Sequence, residues 1–293
     1  MAPSNTGHPT IEECIEPLRE LEMISPWFDA SAPSQHPRAL IREPRRLLVL
    51  LAPPRSGSFH LCRLLWQLGY GRPTEYLNPN PLYRSALSRW GRVGSRQWVA
   101  KLVAERSARS RFSGTPFVSL KLQANQGRGP CQQVLRRTFR APLADLGLRQ
   151  DKPLVVLLRR RDSVAAMASL HFSRCTGAYD LGLVTTHQGL PIGSLLDEAA
   201  IRQTVDEYRR HLLWLESAAQ SSAPTMALWL EDLLADQAGV LAQLVLALEP
   251  ELHLDASDPS LALRIRRDAS PWMNERRQWL ERITERVRDL GEG

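Results

Sequence analysis

A short segment of small and basic residues, Pro-Pro-Arg-Ser-Gly-Ser at 53–58, lies between an apolar run and leucines at helical spacing. The first amides of a helix lack partners within the helix, and the helix dipole is positive there, so such a terminus binds phosphate or sulfate readily. Gly57 would let the backbone approach the ligand. Ser56 and Ser58 could donate hydroxyl hydrogens, and Arg55 would add positive charge. A structural strand-to-helix turn with a capping serine fits the same pattern equally well.

The segment lacks the Gly-x-x-x-x-Gly-Lys-[Ser/Thr] motif with which nucleotide kinases bind their phosphates. No glycine leads the segment, and no lysine follows Gly57. These two differences argue against the use of ATP or GTP, and against the Mg²⁺ that accompanies those nucleotides in kinases.

Strand and helix signals alternate along the chain and predict the elements that would position this loop. Apolar runs predict strands at 46–52, 117–120, 154–158 and 225–230. Helical spacing predicts helices from 59 to about 68, 85 to 111, 163 to 174, 195 to 219, 232 to 248 and 270 to 290. This alternation predicts an α/β fold in which helices cover both faces of a parallel sheet.

The composition is that of a globular protein, with 43% apolar and 24% charged residues in a chain of 293. No run of about 18 apolar residues predicts a membrane span, and the first residues do not resemble a secretory signal. The four cysteines are far apart and fit neither a zinc site nor a disulfide framework, so we expect no metal and a reducing, cytoplasmic location. We expect residues 1–45 to form an N-terminal extension, a helix followed by a Pro/Ser-rich connector, and residues 46–293 to form one domain.

The net charge of +7 is compatible with an anionic small ligand or with a nucleic acid. Only Lys101, Lys121 and Lys152 are lysines among the 38 basic residues, which leaves 35 arginines. Arginine offers a planar, multi-donor group to phosphate or sulfate. The arginine-rich stretch at 84–111 contains no recognised nucleic-acid module, so we interpret it as a solvated face and expect no nucleic-acid partner.

Several segments resemble, in the same order along the chain, the bacterial trehalose 2-sulfotransferase-like family of sulfotransferases. The matching segments are PRSGS at 54–58, GYGRPTEYLNP at 69–79, VSLKLQ at 118–123, LLRRRDSVAAMASLHFSRCTGAY at 157–179, LWLEDLLADQAG at 228–239 and, more loosely, RIRRDASPWMNERRQW at 264–279. Together they extend over about residues 46–280. The first 40 residues lie outside the resemblance.

The resemblance implies a P-loop-like three-layer α/β fold with a central parallel sheet flanked by helices. Members of the family transfer a sulfuryl group from the co-substrate 3′-phosphoadenosine 5′-phosphosulfate (PAPS) to a hydroxyl, without a metal. We therefore expect a PAPS-dependent sulfotransferase whose acceptor is a sugar, a glycolipid or a specialised metabolite. The resemblance also implies a homodimer. The loops at 76–112 and 177–194, which would choose the acceptor, match the family least.

By the same resemblance, Glu75 is the general base that takes the proton of the acceptor hydroxyl. From pattern alone, one glutamate in a Gly/Pro-flanked loop is instead a solvated surface charge. The resemblance also places Arg55 against the phosphosulfate and the amides from Ser56 to Phe59 around the 5′-phosphate. Phe59 stands where relatives commonly have Ser or Thr. This departure favours the alternative of a non-catalytic nucleotide-binding protein with a sulfotransferase-like fold.

The resemblance further implies that Arg160 or Arg161, at a strand end, binds the 3′-phosphate of the donor together with Ser169. Strand alternation directs only some of three consecutive arginines toward a ligand, and it does not identify which. The alternatives are a solvated basic cluster for the arginines and a packed small residue for the serine. Arg266 and Arg267, in the C-terminal segment, are also expected to reach the donor.

Overall fold

The structure is a computed structural model, and it describes residues 46–76, 92, 95–123, 153–176, 195–222, 226–263 and 273–291. The predictions for the N-terminal extension at 1–45, for the loop at 177–194 and for Arg266 and Arg267 lie outside these ranges. Within them, no helix combines the length and the apolar character needed to cross a bilayer.

The described chain alternates strands with helices, as the sequence predicts. The strands are β1 (Arg46–Leu51), β2 (Ala108–Arg109), β3 (Pro116–Leu122), β4 (Leu154–Arg159) and β5 (Met226–Trp229). The helices are α1 (Ser58–Gln67), α2 (Arg96–Arg106), α3 (Ser163–Thr176), α4 (Glu198–Ser222), α5 (Leu230–Ala235), α6 (Gln237–Leu248) and α7 (Met273–Gly291), with a 3-10 turn at Pro259–Leu261. The expected α/β class is therefore confirmed.

The strands form one sheet in the order β2-β3-β1-β4-β5. β1 lies at its centre and pairs in parallel with both β3 and β4, and β4 pairs in parallel with β5. β2 pairs antiparallel with the start of β3. The sheet is therefore mixed, and the expectation of a purely parallel sheet is corrected by this one short edge strand.

Helices cover both faces of the sheet because its central strands are apolar on both sides. Leu48 and Leu50 of β1 pack with α1, α5 and α6 on one face. Val49 and Leu51 point the other way, because successive residues of a strand face opposite sides, and pack with α2 and α4. Helices α3, α4 and α7 contribute to a further apolar cluster.

The helix that was predicted to continue to Arg111 ends at Arg106. The side chain of Ser95 caps its start by accepting a hydrogen bond from the Trp98 amide at 3.2 Å. After Ser107 the chain enters β2, whose two residues pair with Pro116 and Phe117. A strand of two residues is too short to show the alternation of a strand. The sequence-based prediction therefore continued the helix through β2 to Arg111.

The single helix predicted at 232–248 is two helices, α5 and α6, that meet at Asp236. The Asp236 carboxylate accepts a hydrogen bond from the Gly239 amide at 2.9 Å, which caps the start of α6. Leu230, predicted to end the last strand, instead begins α5. Leucine and alanine favour helix on both sides of this break, so the periodicity does not show it.

The parallel strands β1, β3, β4 and β5 end at the same edge of the sheet, where open α/β sheets bind ligands. At the opposite edge, where the parallel strands begin, a buried hydrogen-bond network connects three parts of the chain. The hydroxyls of Tyr70 and Ser110 donate to one oxygen of the Glu249 carboxylate at 2.7 and 2.5 Å. Ser110 belongs to the turn between β2 and β3, so this network fastens the edge strand to the end of α6.

Candidate functional site

The loop between β1 and α1 has a left-handed backbone at two positions. Arg55 has a φ of 61°, and Gly57 has a φ of 76° and a ψ of 14°. A β-carbon added to Gly57 would overlap the side chain of Leu230, so glycine is required here both by its backbone angle and by its neighbour. The buried hydroxyl of Ser56 donates to the Pro53 carbonyl at 2.8 Å and fixes the turn from within.

The start of α1 presents backbone amides without a side-chain cap. Gly57 is the residue that caps the helix, and its carbonyl accepts hydrogen bonds from the His60 and Leu61 amides. Among the described residues, no acceptor for the amides of Ser56, Gly57 or Ser58 is found. The serines therefore do not cap α1, and three adjacent N–H groups are left at the positive end of the helix dipole.

Three of the residues predicted to bind the donor are brought together beside this loop. The Arg55 Nε donates to the Ser169 hydroxyl on α3 at 2.9 Å. The Arg160 guanidinium donates to the Arg55 carbonyl, also at 2.9 Å. These contacts join β1 to the end of β4 and to the second turn of α3, and they concentrate two positive charges next to the amides of the loop.

Arg161 is not part of this cluster. Its guanidinium forms two hydrogen bonds with the Asp232 carboxylate, at 2.7 and 2.9 Å, and this pairing holds the pKa of Asp232 below its usual value. Arg159 pairs with Glu216 of α4 at 3.0 Å. Of the three consecutive arginines, the structure therefore directs only Arg160 to the loop.

The segment that contains Glu75 is held against β3. The Lys121 amide donates to the Thr74 carbonyl at 2.9 Å, and the Arg72 amide donates to the Arg106 carbonyl at 3.1 Å. A β-carbon at Gly71 would lie 2.6 Å from the Ser119 hydroxyl, so only glycine lets the segment approach the strand this closely. The main chain just before Glu75 is thus fixed by contacts with β3 and α2.

Glu75 is a buried residue, only 6% exposed, and not the solvated surface charge that its local sequence favours. Its Oε1 lies 2.6 Å from the Nζ of Lys121, which is 1% exposed. The same ammonium donates to the Ser58 hydroxyl at 3.1 Å and lies 3.9 Å from the centre of the Phe59 ring. A cation therefore bridges the candidate base and the first turn of α1.

Sequence reasoning missed Lys121 as a site residue. Two signals were present: it is one of three lysines in an arginine-rich chain, and it directly follows the predicted strand at 117–120 in an otherwise uncharged segment. Phe117 of the same strand packs on the α1 face. Lys121 faces the same side because it is four residues further along. The sequence does not reveal which face of β3 meets α1, so neither signal showed that Lys121 would turn toward the start of α1.

The two cysteines in the described ranges, Cys62 and Cys175, both have thiol pKa values raised by burial. Burial raises the pKa of the Cys62 thiol to about 12. The Cys175 sulfur lies 3.5 Å from His171 Nε2, but burial raises the pKa of that thiol and lowers the pKa of His171. The pair therefore favours its neutral forms, and His171 Nε2 also contacts the Leu195 carbonyl at 3.1 Å. Neither cysteine has the character of an activated thiolate.

Taken together, the described residues place unpartnered loop amides, two arginines and a buried carboxylate around the start of α1. The amides at 56–58, with Arg55 and Arg160, suit a phosphate or sulfate group. Glu75 reaches the same terminus through Lys121 and Ser58. Among the described residues, no group of three or more His, Cys, Asp or Glu side chains is arranged to hold a metal ion.

No protein-family model matches this chain, and neither does any curated protein. The geometry of the site and the motifs in the sequence are therefore what indicates its function.

Proposed function

We propose that this protein is a sulfotransferase that moves a sulfuryl group from PAPS to a hydroxyl of a sugar, glycolipid or specialised metabolite. The observation that supports this best is the linked cluster at the start of α1. On one side the loop contacts Arg160 and Ser169, and on the other it contacts the Lys121–Glu75 pair. An anion-binding terminus next to a buried carboxylate is the combination that sulfuryl transfer needs.

In the proposed reaction the acceptor oxygen attacks the sulfur atom of PAPS. The bond between sulfur and the oxygen of the 5′-phosphate breaks, and its electron pair stays on that phosphate. The proton of the acceptor hydroxyl passes to the Glu75 carboxylate. As in phosphoryl transfer, positioning and stabilisation of charge supply most of the catalysis. Arg55 and the loop amides would stabilise the charge that develops on the leaving phosphate.

The donor would occupy the edge of the sheet where β1 and β4 end. The amides from Ser56 to Phe59 would bind its 5′-phosphate, and Arg160 with Ser169 would bind its 3′-phosphate. The contact of Arg55 in the loop with Ser169 on α3 supports the proposal that both ends of one nucleotide bind here. A guanidinium and a hydroxyl that already meet at 2.9 Å can both donate to one bound nucleotide.

The proposal is tested first by calorimetry with the desulfated product, adenosine 3′,5′-bisphosphate, in the absence of Mg²⁺. We expect binding without the metal, whereas a nucleotide kinase would require ATP and Mg²⁺. Sulfuryl transfer from labelled PAPS to cell extracts, followed by mass spectrometry of the products, would then identify the acceptor. Transfer should fall about 10²–10⁴-fold, to a measurable residual rate, in Glu75→Gln, which keeps the shape of the side chain but cannot accept the proton.

A second candidate is a non-catalytic nucleotide-binding protein. The burial of Glu75 and its pairing with Lys121 favour it, because a carboxylate with these surroundings can be structural. Tight bisphosphate binding without transfer to any acceptor in the extract screen would establish this role instead.

The homodimer and the cytoplasmic location both remain predictions from the sequence. Light scattering at assay concentration would test the homodimer, and cell fractionation would test the location.

A further inference from the structure

The Lys121 ammonium lies where three elements meet. It comes from the end of β3, pairs with Glu75 of the segment after α1 and donates to Ser58 at the start of α1. The ring of Phe59 covers it. Phe59, the residue that departs from the family pattern, therefore contacts this ammonium with the face of its ring.

We infer that Lys121 is a positioning residue that fixes the Glu75 carboxylate relative to the loop at 53–58, the phosphate loop of the proposed function. The inference deepens the proposed function and depends on it, since it assigns Lys121 a task in the reaction that Glu75 would perform. Lys121 acts through Glu75 and Ser58 rather than by touching a substrate. A base displaced by about 1 Å loses about 100-fold in rate, so a side chain that holds it matters for catalysis.

Stability alone does not explain this pair. Removing two charges from water costs more than their attraction returns in many proteins, and an apolar pair of similar volume is often at least as stable. The residue type is also unusual for this chain, which uses arginine at 35 of 38 basic positions. A compact ammonium fits between Glu75, Ser58 and the Phe59 ring, whereas a planar guanidinium is larger.

The phosphate loop has supports of its own that do not involve Lys121. The Ser56 hydroxyl bonds to the Pro53 carbonyl, and Arg160 bonds to the Arg55 carbonyl. Leu230 packs against Gly57. The loop amides should therefore keep their places when Lys121 is replaced, and nucleotide binding should survive a substitution that disturbs the base.

The test is a set of Lys121→Met, Glu75→Gln and the double variant, with sulfuryl transfer measured from PAPS. We expect Lys121→Met to lower kcat about 100-fold while KM for PAPS and the Kd for adenosine 3′,5′-bisphosphate change less than about threefold. Once the Glu75 carboxylate is gone, Lys121 has nothing left to position. The double variant should therefore equal Glu75→Gln in kcat within about threefold.

Tyr70→Phe is the matched control, because it removes a buried hydrogen bond at the opposite edge of the sheet. It should lower thermal stability without lowering kcat. If Lys121→Met does not fold because the buried Glu75 carboxylate has lost the Lys121 ammonium, Lys121→Gln, which keeps an N–H donor, replaces it in the same comparison.

Several outcomes would overturn the inference: an unchanged kcat in the Lys121 variant, a loss of bisphosphate binding as large as the loss of kcat, or losses in the double variant that multiply. The second would indicate a merely structural residue, and the third would show that Lys121 acts independently of Glu75. Failure of the proposed function is seen separately, in the unsubstituted protein, as an absence of bisphosphate binding or of transfer, and it would overturn the inference as well.

Discussion

Arg55 has a left-handed backbone conformation, which is unfavourable for a residue other than glycine and must be stabilised by its neighbours. A left-handed backbone at a residue other than glycine costs of order 1–3 kcal/mol and persists only where neighbours enforce it. Here Arg160 holds the Arg55 carbonyl and Ser169 holds its guanidinium. Backbone strain concentrated at a loop with unpartnered amides is typical of a binding site.

Ser169 offers a test of the orientation proposed for the nucleotide. Ser169→Ala should weaken binding of adenosine 3′,5′-bisphosphate about tenfold or more, because a hydrogen bond to a charged phosphate contributes about 1.5–3 kcal/mol. Adenosine 5′-phosphate lacks the 3′-phosphate, so its affinity should change less than about twofold. Calorimetry with both nucleotides checks this, and equal losses for the two would contradict the assignment.

Gly57 can be tested against a glycine with nearly the same backbone angle. Gly57→Ala should destabilise the fold by about 1 kcal/mol or more and abolish bisphosphate binding, because the added methyl strains the backbone and displaces Leu230. Gly114 has a φ of 73° but no atom within 4 Å of an added β-carbon. Gly114→Ala should therefore show the strain alone, in urea unfolding, with binding intact. Binding retained in Gly57→Ala would argue against the loop as the anion site.

At the scale of elements, two neighbouring helices each carry a buried histidine, His171 on α3 and His211 on α4. His171 of α3 contacts Thr204 and the Leu195 carbonyl, and His211 lies near Glu207 within α4. Burial lowers the pKa of both imidazoles. The folded protein therefore keeps them neutral at a pH where the unfolded chain already binds protons.

This difference predicts that stability falls on the acid side. Below a pH of about 6.5 the unfolded chain binds more protons than the folded chain, so the free energy of unfolding decreases as the pH decreases, until the folded histidines are protonated as well. The loss is at most about 1.4 kcal/mol per pH unit for each group. His171→Gln, which keeps a donor for Leu195, should show a smaller decrease between pH 7.5 and 5.5 in urea unfolding. An unchanged pH dependence would contradict it.

For the whole molecule, the site joins parts of the chain that lie far apart in sequence, so a bound nucleotide should stabilise the entire fold. A ligand that binds only the folded state adds about 2.7 kcal/mol at a concentration of 100 times its Kd. We expect adenosine 3′,5′-bisphosphate to raise Tm without Mg²⁺, measured by calorimetric melting, and to raise it less in Ser169→Ala. Adenosine, which has no phosphate, is the control, and an equal shift with adenosine would show that the phosphates are not recognised.

Most of the strands and helices could be predicted from the sequence, because the spacing of apolar residues along the chain is a local property. The apolar run before Pro53 marks β1, and leucine spacing after Gly57 marks α1. The helix predicted from 163 begins there as α3, where the Asp162 carboxylate accepts a hydrogen bond from the Ala165 amide at 2.8 Å. Two helix boundaries were predicted wrongly, at the two-residue β2 and at the break between α5 and α6, because the local sequence pattern is weak at both places.

By itself the sequence determined the α/β class, the position of the loop and the residue types available to it. Tertiary structure decided that Arg160, and not Arg161, reaches the loop, that Glu75 is buried, and that Lys121 is its partner. The reason is physical. These outcomes depend on which faces of β3 and β4 meet α1 and α5, and on contacts such as that between Arg55 and Ser169, 114 residues apart. Periodicity fixes that successive strand residues alternate, but only packing fixes the side to which each one turns.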